Sequence, residues 1–394
     1  MKSVEEIIHE NILDIIQHIK DIRQRIHENP ELGYEEYETT KLIKEALCEN
    51  NVEFFNFNNL TGGIAYINAN KEKTVAFRAD IDALPILENT CIDFQSHNHG
   101  KMHACGHDIH TSIATGVAIV LNRLKEFLNC NVAITFQPAE ECNPIGGAKL
   151  VLDQEVFKEL NISEMYGLHI WPSLKIGEIA LKPGPLMGAS DKFCMTIKGK
   201  KSHAAEPHKG VDAISISLDI INAIEHKLRR EVDPFDISLI SIGSIKSTGR
   251  YNVICDNVEI EGTIRTTKEE TRLFIHKRIK ELAEGIAGSY NGEAVVNITN
   301  GYSVVNNDEI LVERFIKKAS HILGIENVRT DIKTSLIGED FSFYCDKIPS
   351  LYFFLGCESE YPLHSDKFLP SDKILGIAIE LLVSYFLDVE RQIE

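Results

Sequence analysis

Asn131-Val-Ala-Ile-Thr-Phe136 is a short run of mostly branched and aromatic residues, and it leads directly into Gln137-Pro-Ala-Glu-Glu141. Such a run, closed by a turn former, is typical of a buried β-strand. Two earlier runs, Gly63 to Ala69 and Thr74 to Ala79, have the same character. Before the run at 131, the apolar positions of residues 111–128 recur with the period of a helix. Strands that alternate with helices predict an α/β domain with a mixed, mostly parallel central sheet flanked by helices.

The pattern changes after Lys182-Pro-Gly-Pro-Leu-Met-Gly188, a stretch typical of a linker. The elements predicted beyond it are a strand at Lys192 to Ile197, a helix at Val211 to Leu228, strands at Ile237 to Ile245 and Val258 to Arg265, a helix at Lys268 to Ile286 and a strand at Ala294 to Thr299. This β-α-β-β-α-β order predicts an inserted α+β ferredoxin-like domain. We therefore divide the chain into an α/β domain in two parts, 1–184 and 300–394, and an inserted domain, 185–299.

Composition narrows the class of protein. The chain has 394 residues, of which 43% are hydrophobic, and 41 basic against 59 acidic residues give a formal net charge of -18. That charge repels polyphosphates and leaves no basic stripe, so we expect no nucleic-acid partner. An acidic surface also suits divalent cations, although self-repulsion of a soluble protein explains the charge equally well.

The cysteines and the N-terminus bear on the compartment. Nine cysteines without a repeated spacing, in a chain of this size, indicate a reducing compartment, and we expect a cytoplasmic protein. The apolar positions Ile7, Ile8, Leu13, Ile15 and Ile19 alternate with acids, which predicts an amphipathic helix and not a signal peptide. No apolar run is long enough to cross a bilayer, so we expect no membrane partner.

Met102-His-Ala-Cys-Gly-His-Asp-Ile-His110 brings a thiol, three imidazoles and a carboxylate into nine residues. Sulfur and nitrogen ligands suit zinc, and imidazole also accepts manganese, cobalt or nickel. The stretch opens the helix predicted at 111–128. Likewise Glu141 follows a strand and His169 ends an apolar run, which is where ligands gather in open α/β sheets. Each of these residues alone could be an ordinary loop or surface residue.

The sequence as a whole resembles the M20 metallopeptidase family. Within it, the chain is most similar to the amidohydrolase branch of aminoacylase-like enzymes, hippurate hydrolases, N-acetyldiaminopimelate deacetylases and auxin-conjugate hydrolases. The matching stretches, in chain order, are Arg23 to Gly33, Arg78 to Pro85, Met102 to His110, Phe136 to Glu141, Gly167 to His169, Ser202 to His208, Gly262 to Arg265 and Gly338 to Phe341.

The resemblance implies a site with two divalent metal ions, zinc, manganese, cobalt or nickel. The family's ligand positions fall on Cys105, His107, Glu141, His169 and His364, and its catalytic glutamate falls on Glu140. Two such metals polarise an amide carbonyl and lower the pKa of a bound water toward about 7. A neighbouring carboxylate can then act as general base and acid. Whether Cys105 bridges the metals is a hypothesis.

Supporting roles follow for other residues of these motifs. Asp108 is interpreted either as a carboxylate that orients a ligand imidazole or as a helix N-terminal acid. Asp80 and Asp82 are interpreted in the same way, as partners of ligands or as turn residues. His103 and His110 are predicted not to be ligands.

The resemblance implies that the two-part α/β domain is the catalytic domain and that the inserted domain is a lid and dimerisation domain. It also assigns roles to residues of the inserted domain. His203 matches a histidine that stabilises the oxyanion and that comes from the neighbouring subunit in related homodimers. Asn252 and Arg265 match residues that hold the free carboxylate of the substrate. Cys255 departs from the family pattern, which has a proline there. A residue other than proline has a free backbone N–H and a less restricted φ at position 255, which bears on the placement of Asn252.

The predicted function is hydrolysis of the amide bond of small-molecule N-acyl-L-amino acids. The alternative is a dipeptidase or aminopeptidase of the same superfamily, which would need an anchor for a free α-amine. A binding protein without turnover is a further alternative, and the presence of Glu140 together with all five ligand types argues against it.

Overall fold

A computed structural model describes residues 2–389 of the chain. The described residues form two compact units, one of residues 2–186, 306–333 and 340–389, the other of residues 187–305 and 334–339. Residues 300–305 and 334–339 thus group with the second unit, and not with the catalytic part predicted to begin at 300. The lid and dimerisation roles of the inserted domain stay predictions.

The strands within residues 2–389 are β1 Glu53–Asn56, β2 Gly63–Ile67, β3 Thr74–Asp80, β4 Asn131–Gln137, β5 Ile162–Trp171, β6 Ile179–Ala180, β7 Gly184–Met187, β8 Ala189–Lys198, β9 Ser238–Ser247, β10 Asn257–Thr266, β11 Glu293–Asn300, β12 Val305–Asn307, β13 Val328–Arg329 and β14 Ser350–Gly356. The helices are α1 Val4–Glu28, α2 Tyr37–Glu49, α3 His107–Arg123, α4 Ala148–Leu152, α5 Glu155–Glu159, α6 Ala213–Asn222, α7 Arg229–Glu231, α8 Glu269–Ser289, α9 Glu309–Leu323, α10 Ser342–Cys345 and α11 Lys373–Asp388.

The first unit is built on a mixed sheet whose order, among the described strands, is β1-β2-β4-β3-β5-β14-β6-β13. Its middle strands β4, β3, β5 and β14 run parallel to one another, while β2 and β6 flank them as antiparallel neighbours. Every residue of β3, β4 and β14 is buried. This is the flanked, mostly parallel sheet that the sequence predicts, and residues beyond 300 complete it through β14.

Helix α1 shows how local sequence and packing agree. A capping box starts it, since the Ser3 hydroxyl accepts the Glu6 N–H and the Glu6 carboxylate accepts the Ser3 N–H. Its buried face carries Ile8, Ile12 and Ile15. The helix predicted from Ile7, Ile8, Leu13, Ile15 and Ile19 is confirmed, although the Leu13 side chain lies off the buried face and is 62% exposed.

The second unit contains β8, α6, β9, β10, α8 and β11 in that order along the chain. The strands form a sheet of order β11-β8-β10-β9, in which β11 with β8, β8 with β10 and β10 with β9 pair antiparallel. The β-α-β-β-α-β order along the chain is the predicted one. Helix α6 continues through a π-helical segment, Ala223–Leu228, into α7.

Within residues 2–389, no helix is both long and apolar enough to cross a membrane.

Candidate functional site

The predicted site residues of the first unit lie where parallel strands end. Asp80 is the last residue of β3, Glu140 and Glu141 follow β4, and His169 lies near the end of β5. His107 is the first residue of α3. Because β4, β3 and β5 are adjacent and parallel, their carboxyl ends meet at one edge of the sheet. The topology therefore brings residues far apart in sequence to one place.

The five predicted metal ligands form two groups that share one thiol. The Cys105 thiol, the His107 imidazole and the His169 imidazole each place one ligand atom within 4.8 Å of the others. The Cys105 thiol does the same with Glu141 and His364. Within these groups, the Cys105 Sγ lies 3.3 Å from the His169 Nε2, and the His364 Nε2 lies 3.3 Å from the Glu141 Oε1.

Hydrogen bonds turn one nitrogen of each buried imidazole toward the site. The His107 Nδ1 lies 2.9 Å from the carbonyl oxygen of Asp82 and 3.2 Å from its Oδ1. Its Nε2 is buried and has no hydrogen-bond partner within residues 2–389. The His169 Nδ1 donates to the Ile170 carbonyl at 2.7 Å. Ligating histidines are held in this way, with one N–H bonded to a carbonyl or carboxylate and the other nitrogen left for a metal.

The electrostatics of the group favour a cation. Burial opposes a charge on His107, but the Asp80 and Asp82 carboxylates outweigh burial and raise its pKa to about 10. Burial, followed by Glu141 and Glu140, raises the pKa of the Cys105 thiol well above its usual range. The carboxylates in this buried place favour a compensating positive charge, and a bound cation would also stabilise the thiolate form of Cys105. The donor set, one sulfur, three nitrogens and one carboxylate, fits divalent zinc, manganese, cobalt or nickel.

His364 reaches the group from a distant loop. Its φ is +65°, an uncommon left-handed conformation for this residue type, and its N–H donates to the Ala104 carbonyl at 2.8 Å. The side chain is 52% exposed, whereas Cys105 and His107 are buried. The backbone bond ties the loop to the residue that precedes Cys105.

Glu140 is not one of the five predicted ligands, but its carboxylate lies next to them. One carboxylate oxygen of Glu140 is within 4.8 Å of ligand atoms of His107 and Glu141. The residue is 7% exposed, and Ala139 before it has a φ of +58°. A buried carboxylate next to candidate ligands can exchange protons with a substrate in the same place.

A second layer of contacts supports the edge of the sheet. The Asp80 Oδ1 accepts from the His110 Nδ1 at 2.6 Å, and the Asp80 Oδ2 accepts from the Arg78 Nη1 at 2.7 Å. The His110 Nε2 accepts the Ile170 N–H at 3.0 Å. Both ring nitrogens of His110 are therefore bonded within the protein, consistent with its predicted role as a non-ligand. Asp340 accepts from Arg78 at 2.6 Å and from the N–H groups of residues 147 and 148, each at 2.9 Å.

The interpretation of Asp108 as a partner of a ligand imidazole is wrong. Its Oδ2 accepts from the Arg23 Nε and from the His27 Nδ1, each at 2.8 Å. Burial opposes its ionisation, but the Arg23 and His27 charges hold the pKa of this carboxyl well below its usual range. His103 is also buried, and neither ring nitrogen has a hydrogen-bond partner in the part of the chain that the structure describes.

In the second unit, His203 and Asn252 belong to facing segments. The Gly199 N–H donates to the Asp256 carbonyl at 2.8 Å and the Ala204 N–H to the Asn252 carbonyl at 3.1 Å, so the β8–β10 ladder continues beyond the strand ends. His203 pairs with Val253 in an antiparallel bridge. His203 thus follows the end of β8 and Asn252 precedes the start of β10, so both lie at the same end of this strand pair.

Arg265 lies at the opposite end of β10. It pairs with Ser190 and Leu239, and its guanidinium is half-buried. Burial lowers its pKa, while the Asp191 charge raises it. The extended strand from Asn257 to Arg265 spans about 26 Å at 3.3 Å per residue. Asn252 and Arg265 of one copy are therefore too far apart to bind the same carboxylate group. The sequence analysis had assigned both residues to that one group.

The sequence prediction missed several supporting residues. Arg78 and Asp340 lie in matching stretches, so their motifs were the available signal. Glu36 lies three residues beyond the stretch that ends at Gly33 and was not noticed. Burial, together with the Asp82 charge, raises the pKa of Glu36 to about 7.

Comparison with known proteins bears on the whole chain. A family model described as Peptidase family M20/M25/M40 matches residues 76–388. The chain is 36% identical over 368 residues to the N-acetyldiaminopimelate deacetylase of Listeria innocua, an alignment that covers 92% of this chain and 97% of that protein. It is 37% identical over 378 residues to thermostable carboxypeptidase 2 of Saccharolobus solfataricus, covering 93% and 94%.

A solved structure has the same fold. The Bacillus subtilis YXEP protein, described as a dinuclear metal binding peptidase from the M20 family, is 33% identical and superposes with a TM-score of 0.84. The match covers 95% of this chain and 98% of that one.

Proposed function

This chain belongs to peptidase family M20/M25/M40, and on that premise we propose that it is a metal-dependent amidohydrolase that cleaves N-acyl-L-amino acids. The observation that carries the proposal is the pair of ligand groups that share Cys105, with Glu140 beside them. A relative named as a deacetylase of an N-acetylated amino acid supports this substrate class. A relative named as a carboxypeptidase supports the alternative, a peptidase that acts on unblocked peptides.

The site residues have separate roles in the proposed reaction. Cys105, His107, Glu141, His169 and His364 would hold two divalent cations, with Asp82 orienting the His107 ring. When bound, the cations supply Lewis acidity toward the amide carbonyl and lower the pKa of a water. Glu140 takes the proton of the attacking water on its carboxylate and delivers it to the nitrogen of the leaving amine. The products are a carboxylic acid and a free amino acid.

We further propose that the Cys105 sulfur would help to hold both cations, because its thiol belongs to both ligand groups. An anomalous-diffraction map of the metal-loaded protein is expected to show two peaks at bonding distance from the sulfur. A map with a single metal in contact with that sulfur rejects the bridging role.

The substrate's polar ends would be bound by the second unit. Arg265 has a half-buried guanidinium, which suits a carboxylate. Because Asn252 and His203 lie at the other end of β10, we propose that these two residues act on the substrate bound by a second copy of the chain. The active form is then a homodimer in which each reaction uses residues of both copies.

Adjacent glutamates provide the first test. Glu140→Gln is expected to lower kcat on an N-acetyl amino acid by about 10²- to 10⁴-fold, since it removes the proton carrier. Its metal content is expected to stay at the wild-type value, because Glu140 is not one of the proposed ligands. The matched variant Glu141→Gln is expected to bind less metal. Metal per chain is measured by inductively coupled plasma mass spectrometry, and undiminished turnover in Glu140→Gln contradicts the mechanism.

A substrate panel separates the two candidate reactions. Wild-type protein loaded with defined metals is assayed on N-acetyl, N-benzoyl and longer N-acyl amino acids, and on unblocked dipeptides. We expect turnover of the N-acyl series, with Arg265→Met raising KM through loss of the carboxylate contact. Preferential cleavage of unblocked dipeptides favours the peptidase alternative.

Complementation tests the shared site. His203→Ala is expected to lower kcat by about 10²- to 10³-fold through loss of an oxyanion donor. Arg265→Met, with its raised KM, is expected to be nearly inactive at a substrate concentration well below that KM. When the two variants are mixed and allowed to exchange subunits, half of the dimers hold both chains and one intact site. About a quarter of wild-type activity should then return, as two-fold symmetry requires. Absence of recovery, with exchange verified by mass spectrometry, means that His203 acts within its own chain.

A further inference from the structure

Glu36 contacts the turn that carries Glu140, and we propose that it is a positioning residue for the reaction. The proposal rests on the role of Glu140 given above. Glu36 immediately precedes α2 and lies 103 residues away from Ala139 in sequence. Nothing in the sequence prediction assigned it a role.

Both carboxylate oxygens of Glu36 are used. The Oε1 accepts the Ala139 N–H at 2.8 Å, and the Oε2 accepts the Thr61 hydroxyl at 2.5 Å. The residue is 0% exposed, so water does not replace either bond. Turning the carboxylate would break at least one of two buried hydrogen bonds. Its orientation toward the Ala139 N–H is therefore fixed.

The turn that Glu36 holds has an unfavourable backbone conformation. Ala139 has a φ of +58°, a left-handed conformation that is unfavourable for a residue with a Cβ. Such a conformation persists only where its surroundings determine it. On the other side of Glu140, the Glu141 N–H donates to the Asp82 Oδ2 at 2.9 Å. The N–H groups of the residues before and after Glu140 are thus each bound by a carboxylate.

Close packing places the Glu36 segment directly against the turn. A Cβ added at Gly33 would lie 2.4 Å from the Cys142 Sγ and 3.0 Å from the Ala139 Cα. Only a glycine allows this approach. The segment from Gly33 to Glu36 and the turn from Ala139 to Cys142 therefore form one packed contact, so a change in the reach of the Glu36 side chain is felt at Glu140.

The alternative is a purely structural role for Glu36. Strand β4, which leads into the turn that carries Glu140, offers a control for it. Asn131 begins β4, is 4% exposed, and its Oδ1 accepts the N–H groups of Ala69 at 3.0 Å and Lys71 at 3.2 Å. It lies about 20 Å along β4 from Gln137, at 3.3 Å per residue. Asn131→Leu removes a buried acceptor of backbone N–H groups, as a Glu36 variant does, but at the far end of the strand.

The experiment compares Glu36→Asp, Glu36→Gln and Asn131→Leu in the metal-loaded full-length protein. Glu36→Asp keeps the charge but shortens the reach, and we expect kcat to fall by about 10- to 100-fold, the scale of a misplacement near 1 Å. KM and metal per chain should stay at the wild-type values. Glu36→Gln keeps an oxygen that accepts the Ala139 N–H, and its kcat should stay within about threefold of wild type. Asn131→Leu should lower Tm and leave kcat unchanged.

Several outcomes overturn the positioning role. They are wild-type kcat in Glu36→Asp, a larger loss in Glu36→Gln than in Glu36→Asp, or an equal loss of kcat in Asn131→Leu. If Glu36→Asp does not fold, Thr61→Val frees the Oε2 alone, and a kcat unchanged by it overturns the role. An active Glu140→Gln refutes the proposed function itself, whereas an inactive Glu140→Gln beside a fully active Glu36→Asp refutes only the role of Glu36.

Discussion

At the scale of single residues, Asp191 shows how burial and pairing together set a charge. It lies on β8, where its Oδ2 accepts from the Arg272 Nε at 2.8 Å and its Oδ1 accepts from the Arg272 Nη2 at 2.6 Å. The His276 Nε2 lies 2.8 Å from the same Oδ2. The Gly301 N–H also donates to it, at 3.0 Å, and Arg265 lies within electrostatic reach. Burial opposes its ionisation, yet the hydrogen bonds of Arg272 and His276 lower its pKa to about 2.

This pairing predicts a pH-dependent stability. Because the pKa of Asp191 is lower in the folded state than its ordinary 3.8, its contribution is present above about pH 4 and is lost as the pH falls through about 2. The contribution is about 1 to 2 kcal/mol once solvent screening is included. Asp191→Asn should therefore be less stable than wild type at pH 6, and the difference should shrink toward pH 3.

Chemical unfolding followed by circular dichroism at a series of pH values measures that difference. The exposed Glu284→Gln, on the same helix as Arg272, serves as the control and should match wild type throughout. A wild-type advantage over Asp191→Asn that is the same at pH 6 and pH 3 contradicts the assignment.

At the scale of elements, α3 carries the candidate ligand His107 at its first residue and packs closely on α11. The contact depends on Gly116, where an added Cβ would lie 2.4 Å from the Ile379 Cδ1 and 3.1 Å from its Cγ1. On α11, a Cβ added at Gly376 would meet its nearest atom, the Ile16 Cδ1, at 3.8 Å. The same substitution thus meets a crowded place in one helix and an ordinary contact in the other.

The two glycines form a matched pair of predictions. Gly116→Ala is expected to lower the free energy of unfolding by about 1 to 3 kcal/mol through overpacking. Gly376→Ala is expected to raise it by up to about 1 kcal/mol, because alanine favours the helix. Urea unfolding of both variants measures the two changes, and equal effects in the two helices would show that α3 and α11 do not pack this closely.

At the scale of the whole molecule, the candidate metal centre draws its ligands from positions 105 to 364, all within the first unit. A metal that binds the folded state stabilises it, and its removal takes that free energy away. We therefore expect chelation to abolish turnover and to increase hydrogen exchange at the ends of β3, β4 and β5. The strands β8 to β11 of the second unit should exchange as before.

Hydrogen-exchange mass spectrometry with and without a chelator measures this pattern. Reloading with zinc, manganese, cobalt or nickel should restore both protection and activity, to an extent that identifies the preferred metal. Increased exchange spread evenly over both units would mean that the metal does not act through the first unit alone.

Local patterns predicted the elements of this chain well where periodicity and turn residues agreed. The strands at 74 and 131 and the helix after the Cys105 motif are examples, since side-chain alternation and helical period are properties of short stretches. The exposure of Leu13 on α1 could not be predicted from its residue type, because single apolar side chains are common on protein surfaces. The partner of Asp108 was wrong because a carboxylate at a helix start can reach several neighbours, and sequence does not rank them.

The sequence by itself determined the α/β class, the insertion, the family and the identity of the candidate ligands, because these depend on local periodicity and on motifs that survive in one dimension. Only the tertiary structure decided that Cys105 belongs to both ligand groups, that Glu36 holds the turn before Glu140, and that Asn252 and Arg265 lie at opposite ends of β10. These are distances between residues far apart along the chain. They follow from how strands pair and helices pack, which no single stretch of sequence encodes.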